Sequence, residues 1–170
     1  ESNPFIRTDY NACILCGRCV RVCEEVQFCN VLDFSKRGFE TKLSRAMERG
    51  LKETECVFCG NCVQVCPVGA LSEKERRFEG REWDLKKVST ICPYCGCGCT
   101  IDVHVKDEKI VKISANEESP VNFGRLCVKG KFGYEFVNSP DRLKTPLIKE
   151  NGKFRDASWD EALDLISKRF

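Results

Sequence analysis

Two runs of four cysteines with the same spacing constrain this chain more than any other feature of its sequence. They read CILCGRCVRVC at residues 13–23 and CVFCGNCVQVC at residues 56–66, so both follow the pattern C-x2-C-x2-C-x3-C. A single C-x2-C pair occurs in zinc sites and redox pairs, but zinc ribbons use pairs of cysteines and not runs of four. The two complete runs therefore predict iron–sulfur clusters, and a zinc-binding scaffold is the weaker alternative.

The spacing also predicts how these cysteines are shared between two clusters. In two-cluster ferredoxins, three closely spaced thiolates bind one 4Fe–4S cluster, and the fourth cysteine of the same run binds the other cluster. We therefore expect cluster site 1 to contain Cys13, Cys16, Cys19 and Cys66, and cluster site 2 to contain Cys56, Cys59, Cys62 and Cys23. Gly17 and Gly60 fit this interpretation, because such a loop must let backbone amides approach the sulfurs.

Only the second run is followed by proline. Pro67 comes after Cys66, whereas Glu24 comes after Cys23, so a helix from Val20 to about Phe28 can continue beyond the first run. Cys29 is left over from the ligand count. We expect it to be a small buried side chain and not a ligand.

A third cysteine group has a different spacing and is completed further along the chain. The four thiolates that a third cluster needs are supplied by Cys92, Cys95, Cys99 and Cys127, which form cluster site 3. Cys97 is a fifth thiol, inside a tight Gly-Cys-Gly segment. Ligation by both Cys97 and Cys99 would crowd the loop, so we expect that Cys97 is not a ligand.

Composition and charge exclude several classes of protein. The 14 cysteines among 170 residues lie at metal-type spacings, which favours a reducing compartment over a secreted disulfide framework, and we expect a cytoplasmic protein. The 28 basic and 26 acidic residues nearly balance, which argues against nucleic-acid binding. No apolar run is long enough for a transmembrane segment, and no leader is visible. Because the chain starts close to a motif and stops inside a helical pattern, we expect it to be a piece of a larger subunit.

Periodicity predicts two hairpins and one amphipathic helix. The hairpins cover residues 31–43 and 100–115, the second with alternating apolar residues, and the only histidine, His104, falls on its polar face, where we expect it to be solvated. Ser158 and Glu161 form a capping box before a helix whose apolar face has no partner in the chain.

The charged stretch from Leu71 to Lys87 is expected to cross the surface as a connector between domains. Its charges are expected to be solvated and not catalytic. Trp83 is expected to anchor the connector to one of the domains that it joins.

The third cysteine group resembles the N-terminal iron–sulfur domain of molybdopterin oxidoreductases. The resemblance rests on CPYCG at residues 92–96, which is most similar to formate dehydrogenases, on LCVKG at 126–130 and on SWDEAL at 158–163. Residues 1–72 resemble the ferredoxin-like module of cytosolic formate dehydrogenases that are linked to NAD(P) or a hydrogenase. Related modules occur in FeFe-hydrogenases and in the large iron–sulfur subunit of complex I.

This resemblance implies an α+β chain with four parts. They are a ferredoxin-like two-cluster module at 1–72, a charged linker at 73–87, a small β-rich 4Fe–4S domain at 88–145, and the start of a larger, truncated α/β molybdopterin-binding catalytic domain at 146–170.

The resemblance also implies cofactors, partners and a function. Three 4Fe–4S clusters would carry electrons between a Mo- or W-bis-pyranopterin guanine dinucleotide, bound mostly beyond residue 170, and an electron-transfer subunit that is flavin/NAD-binding, ferredoxin-like or a hydrogenase. The parent subunit would oxidise formate or reduce CO2, and the segment alone would only transfer electrons. By this resemblance, Lys129 matches a family lysine that binds the cofactor between cluster and pterin and acts as an electron relay. From its spacing alone, Lys129 could equally be a surface lysine.

Three alternatives stay open at this point. The parent could be another molybdopterin reductase, such as nitrate reductase. The chain could belong to a non-catalytic iron–sulfur subunit of a complex I-like or hydrogenase-like assembly. It could also be an independent ferredoxin-like carrier, against which the final unpartnered helix argues.

Overall fold

Short antiparallel strands and short helices make up the chain, which confirms the predicted α+β class. The computed structural model describes residues 3–76 and 79–170. The chain divides into two units, Glu1–Glu135 and Phe136–Phe170. The strands are β1 (Ile6–Thr8), β2 (Leu32–Ser35), β3 (Lys42–Arg45), β4 (Leu71–Glu73), β5 (Lys86–Ile91), β6 (Thr100–Lys106), β7 (Lys109–Ala115), β8 (Leu147–Glu150) and β9 (Lys153–Asp156). The helices are α1 (Arg18–Arg21), α2 (Asn61–Gln64), α3 (Val128–Phe132), α4 (Glu135–Asn138) and α5 (Trp159–Arg169).

The strand pair β1–β4 runs through the cysteine-rich part of the first unit. Ile6 pairs with Glu73 and Thr8 with Leu71, so the two ends of this part meet in one antiparallel ladder. The core around the pair consists of Ile6, Val31, Leu32, Leu43, Leu51, Leu71 and Phe132. The predicted surface connector is therefore wrong at its start, because Leu71 and Glu73 are buried.

The hairpin predicted at residues 31–43 is confirmed as β2–β3, in which Leu32 pairs with Arg45 and Ser35 with Lys42. Its second strand starts later than the pattern suggested. A helical turn at Gly38–Glu40 precedes it, and Phe39 in this turn is fully exposed.

The helix of the first run continues beyond Cys23, as its missing proline predicted. It starts at Arg18, and a π-helical turn at Val22–Val26 follows α1, closed by the bond from the Gln27 N–H to the Val22 carbonyl at 3.0 Å. Phe28 and Asn30 then adopt left-handed φ angles of 57° and 50°. A right-handed helix needs negative φ angles, so the helix ends there.

The predicted hairpin at 100–115 is confirmed as β6–β7. Asp107 and Glu108 form its two-residue turn with φ angles of 48° and 61°, the signs that a type I′ turn requires. A third strand, β5, pairs antiparallel with β6. The sequence did not predict β5 as a strand, because all six of its residues are exposed and show no alternation of burial.

The sheet β5–β6–β7 has its own core. It contains Cys92, Ile101, Ile113, Ala115, Leu126 and Tyr134. The Tyr134 hydroxyl donates to the Val111 carbonyl at 2.8 Å, which ties the chain after α3 to β7. Trp83, the expected anchor, is 77% exposed and lies under the Arg81 guanidinium, so this expectation was wrong.

The second unit contains the hairpin β8–β9 and helix α5. Ser158 is the N-cap of α5 as predicted, since its hydroxyl accepts from the Glu161 N–H at 3.1 Å. The Glu161 carboxylate pairs with Arg155 of β9. Trp159, Leu163 and Ile166 of α5 are 49 to 68% exposed, so its apolar face is open among the residues that the structure describes. In that same part of the chain, no helix combines the length and the apolar character that a bilayer crossing needs.

Candidate iron–sulfur sites

The first cavity lies where the loop of the first cysteine run faces the residues after α2. Cys13, Cys16, Cys19 and Cys66 line it, with Phe34, Leu43 and Leu71 among its apolar walls. About 350 Å³ is free of protein atoms, the open mouth included. The Leu71 N–H points at the Cys66 sulfur at 3.5 Å, a contact of the kind that tunes cluster potentials. The structure thus brings the four cysteines predicted for site 1 to one cavity.

A second cavity holds the four cysteines predicted for site 2. Cys56, Cys59 and Cys62 line it together with Cys23 from the first run, and about 490 Å³ is free of protein atoms, the open mouth included. Cys29 lines the same cavity and is partly exposed. The expectation that Cys29 is buried was therefore wrong, because the left-handed residues on either side of it turn the chain toward the cavity.

Two glycines shape the cysteine loops. Gly17 and Gly60 precede α1 and α2 as N-caps with left-handed φ angles of 73° and 75°. An L-residue would be strained in this conformation. At Gly60 space is also limiting, since a Cβ atom would lie 2.7 Å from Cγ of Lys131 in α3.

Of the cysteines predicted for site 3, three lie between β5 and β6, and Cys127 is the N-cap of α3. Cys92 is buried, Cys99 is partly exposed, and Cys95 and Cys127 are exposed. The Cys92 N–H donates to the Cys99 carbonyl at 2.8 Å and closes the loop. The Cys97 sulfur lies 3.6 Å from that of Cys99, so a fifth thiol is within reach of this group.

Burial and crowding favour the protonated form of several of these thiols. Burial raises the pKa of Cys19 to about 11, and it raises the pKa of Cys62 strongly. Burial also raises the pKa of Cys99 to about 11, and its neighbour Cys97 adds to the effect. Because iron binds the thiolate, a cluster held by these cysteines would displace their protons.

At sites 1 and 2 the thiols line cavities that could enclose a cluster. Within residues 3–76 and 79–170, no three side chains of His, Cys, Asp or Glu converge closely enough to hold one metal ion. Each thiolate of a cubane binds a different iron, which places the ligands farther apart than around one zinc ion. The cavities and the chemistry of their donors therefore fit 4Fe–4S clusters.

Lys129 and His104 have different environments. The Lys129 side chain is exposed on α3, and its carbonyl accepts from the Gly133 N–H at 2.9 Å. The expectation of a solvated His104 was wrong, because it is 7% exposed and its Nε2 lies 2.8 Å from the Ser114 hydroxyl. Burial, followed by the positive charge of Lys112, lowers the pKa of His104 to about 4.

Sequence reasoning missed the contacts that join the ferredoxin-like part to the third cysteine group. Phe132 of α3 stacks on Phe5 with ring centroids 4.8 Å apart. Gln64 of α2 accepts from the Ala115 N–H and donates to the Gly124 carbonyl, both at 3.2 Å. One signal in the sequence could have predicted that Glu73 is buried. Leu71 and Glu73 are two residues apart, so in a strand their side chains lie on the same side, and Leu71 belongs to the core.

Comparison with known families agrees with these two halves. A family model for the "NADH-quinone oxidoreductase subunit 3, ferredoxin-like domain" matches residues 3–72, and one for the "Molybdopterin oxidoreductase Fe4S4 domain" matches residues 85–139. A third, "Molybdopterin oxidoreductase", matches residues 142–170. Residues 85–139 and 142–170 are thus similar to molybdopterin oxidoreductases. This confirms the resemblance seen in the sequence, while the domain boundaries and the cluster ligands stay predictions.

Curated relatives match almost the whole length of this chain. "Probable oxidoreductase YjgC" and "Putative formate dehydrogenase YrhE" of Bacillus subtilis (strain 168) are each 38% identical and are matched over 100% and 99% of this chain. A protein of Rhizobium meliloti (strain 1021) that is named as a subunit of an NADH-quinone oxidoreductase is 41% identical over 98% of the chain. The chain spans about a fifth of the length of these relatives, 21%, 21% and 19% respectively.

Proposed function

We propose that this chain is the electron-transfer segment of a formate dehydrogenase or CO2 reductase. It holds three 4Fe–4S clusters between a Mo- or W-pterin site of the parent subunit and a partner subunit. One observation carries the proposal: Cys66 lies in the cavity of the first cysteine loop, and Cys23 lies in the cavity of the second loop. This exchange of the fourth cysteine is the arrangement that a two-cluster module requires.

In this proposal the chain's residues place the clusters and tune them. When bound, the clusters supply one-electron transfer between the parent's pterin site and the partner. Apolar walls such as Phe34 and Leu43 keep water from site 1, and the Leu71 N–H stabilises negative charge on the Cys66 sulfur. Lys129 offers an exposed ammonium two residues after Cys127, where a relay toward the pterin would need positive charge.

Formate as the substrate of the parent is supported by the CPYCG form of residues 92–96 and by the name of the relative YrhE. Formate oxidation yields CO2, a proton and an electron pair, and CO2 reduction uses the same route in reverse. The electrons would leave to a flavin/NAD-binding, ferredoxin-like or hydrogenase subunit in the cytoplasm. The zinc scaffold is disfavoured because zinc ribbons use pairs of cysteines and not runs of four.

A second candidate is an iron–sulfur subunit of an NADH-linked quinone reductase assembly. It is favoured by the 41% identity to the Rhizobium meliloti protein that is named as part of an NADH-quinone oxidoreductase. In this case the molybdopterin-like part would be structural, and the clusters would be reduced by NADH through a partner and not by formate.

The deciding experiment is metal analysis of the full-length parent protein purified without oxygen, followed by reduction with formate. We expect about 12 iron atoms in this segment, three clusters of four, together with Mo or W. We also expect the visible absorbance of the clusters to bleach on addition of formate. Iron without Mo or W, and bleaching only by NADH in the assembled complex, would select the second candidate. Zinc without iron would reject both.

Paired variants test the exchange of ligands itself. Cys66→Ser should perturb the cluster held by the first loop, and Cys23→Ser the cluster held by the second, so their electron paramagnetic resonance (EPR) spectra should lose different signals. Loss of the same signal in both variants would contradict the assignment of Cys23 and Cys66 to separate sites.

A further inference from the structure

A buried ion pair lies where the surroundings of the three cluster sites meet. The Lys131 ammonium of α3 is 2.8 Å from a carboxylate oxygen of Glu73 in β4, and the two side chains are 2% and 4% exposed. The ammonium also donates to the Ile113 carbonyl of β7 at 2.7 Å. The other Glu73 oxygen, Oε2, is buried without a hydrogen-bond partner among the described residues. The pair therefore brings one positive and one incompletely satisfied negative charge into the interior.

Lys131 contacts or adjoins each of the three sites. Its N–H donates to the carbonyl of Cys127, a predicted ligand of site 3, at 3.0 Å. Its aliphatic stem crosses Gly60 in the loop of site 2, where a Cβ atom would be only 2.7 Å from Lys131 Cγ. Lys131 and Glu73 also line a cavity together with Cys66, a predicted ligand of site 1. No other lysine among the described residues is buried as deeply.

Stability alone does not explain such a pair. Desolvation of two charges costs several kcal/mol per ion, and replacement by apolar residues of similar volume is often neutral or stabilising. Arg76, Glu82 and Lys112 line the same cavity, so the charge near the clusters is a balance of several groups. A fixed charge in this low-dielectric interior acts strongly on any charge that is added nearby.

We propose that Lys131 and Glu73 set the reduction potentials of the neighbouring clusters, with effects of opposite sign. Lys131 stabilises the electron that enters a cluster at site 1 or 2, and Glu73 opposes it. The proposal rests on the proposed function, since it requires that clusters occupy these sites. It makes the two residues positioning residues of the electron route, because they act on the potential without ligating iron.

The test is a redox titration of the full-length protein, purified without oxygen, with the reduced clusters followed by EPR. Lys131→Met and Glu73→Gln each remove one charge with little change of shape, and the double variant Lys131→Met/Glu73→Gln removes both. Lys112→Gln is the matched control, because Lys112 lines the same cavity but its side chain is 15% exposed and pairs with Glu82. Iron content is measured on every variant.

We expect the midpoint potential to fall in Lys131→Met, to rise in Glu73→Gln and to return toward the original value in the double variant. At a fixed applied potential, the ratio of reduced to oxidised cluster should change roughly tenfold in each single variant, and less in Lys112→Gln.

A shift in the same direction in both single variants would overturn the proposal, because loosened packing does not depend on the sign of the lost charge. Unchanged potentials at full iron content would overturn it as well. If Lys131→Met loses its clusters, the midpoint potential of Glu73→Gln decides: a rise supports the proposal, and a fall overturns it. Absence of iron from the original protein would instead contradict the proposed function.

Discussion

Gly60→Ala should destabilise the iron–sulfur part of the chain more than alanine at any other left-handed glycine of the two cysteine loops. Gly60 has a φ angle of 75°, and an added Cβ would lie 2.7 Å from Lys131 Cγ and 3.1 Å from Phe132 Cζ. The Lys131 stem is held at its far end by Glu73 and Ile113, so it cannot move away freely.

The magnitude follows from two separate costs. A left-handed conformation costs a non-glycine residue about 1–2 kcal/mol. Forcing a methyl group into a packed contact costs about 1–3 kcal/mol more. We therefore expect a loss of about 2–5 kcal/mol for Gly60→Ala. Gly69→Ala is the control, since Gly69 has a φ angle of 67° with nothing within 4 Å of the added Cβ, so only the first cost applies.

Gly17→Ala provides an intermediate case. Its φ angle is 73°, and the added Cβ would lie 3.0 Å from Nη1 of Arg21, the flexible end of a long side chain that can move. The assay is denaturant-induced loss of the visible cluster absorbance in the full-length protein. Equal losses in Gly60→Ala and Gly69→Ala would show that α3 does not press against the loop of site 2, and the inferred contact would be rejected.

Four further changes have defined outcomes. Cys95→Ser should remove one cluster and leave two, so iron content unchanged from the original protein would contradict site 3. Cys29→Ala should keep the full iron content, and loss of about four irons would make Cys29 a ligand. Lys129→Ala should slow cluster reduction by formate more than it lowers cluster content, and normal rates would reject the relay role. The original protein should lose roughly 2–3 kcal/mol of unfolding free energy through His104 as the pH falls, and His104→Gln should abolish this loss. The measurement is the unfolding free energy of both proteins as a function of pH.

The sign of the His104 effect follows from its buried, neutral state. Its pKa is about 4 in the folded protein against 6.5 in the unfolded chain, so the unfolded state binds the proton first. The stabilisation is complete above pH 6.5 and is lost as the pH falls toward 4. A variant with the same slope as the original protein between these values would show that another group is responsible.

The mixed fold and the hairpins could be read from local signals, because strand alternation and turn residues act over a few neighbours. The strand β5 and the burial of His104 could not. The exposed residues of β5 carry no periodic signal, and His104 is buried by packing of the charged segment around Glu82 against the sheet. Such packing joins residues far apart in sequence, which periodicity does not report.

Cysteine spacing was enough to predict the kind of site, because the spacing of thiols within a loop restricts which metal centre the loop can enclose. It also predicted that Cys66 and Cys23 would exchange cavities, and the structure places them accordingly, while their ligation of iron stays a prediction. The position of Cys29 at the second cavity and the burial of Lys131 against Glu73 could not be predicted in this way. The physical reason is that spacing acts along the chain, whereas burial and charge pairing depend on which distant segments pack together.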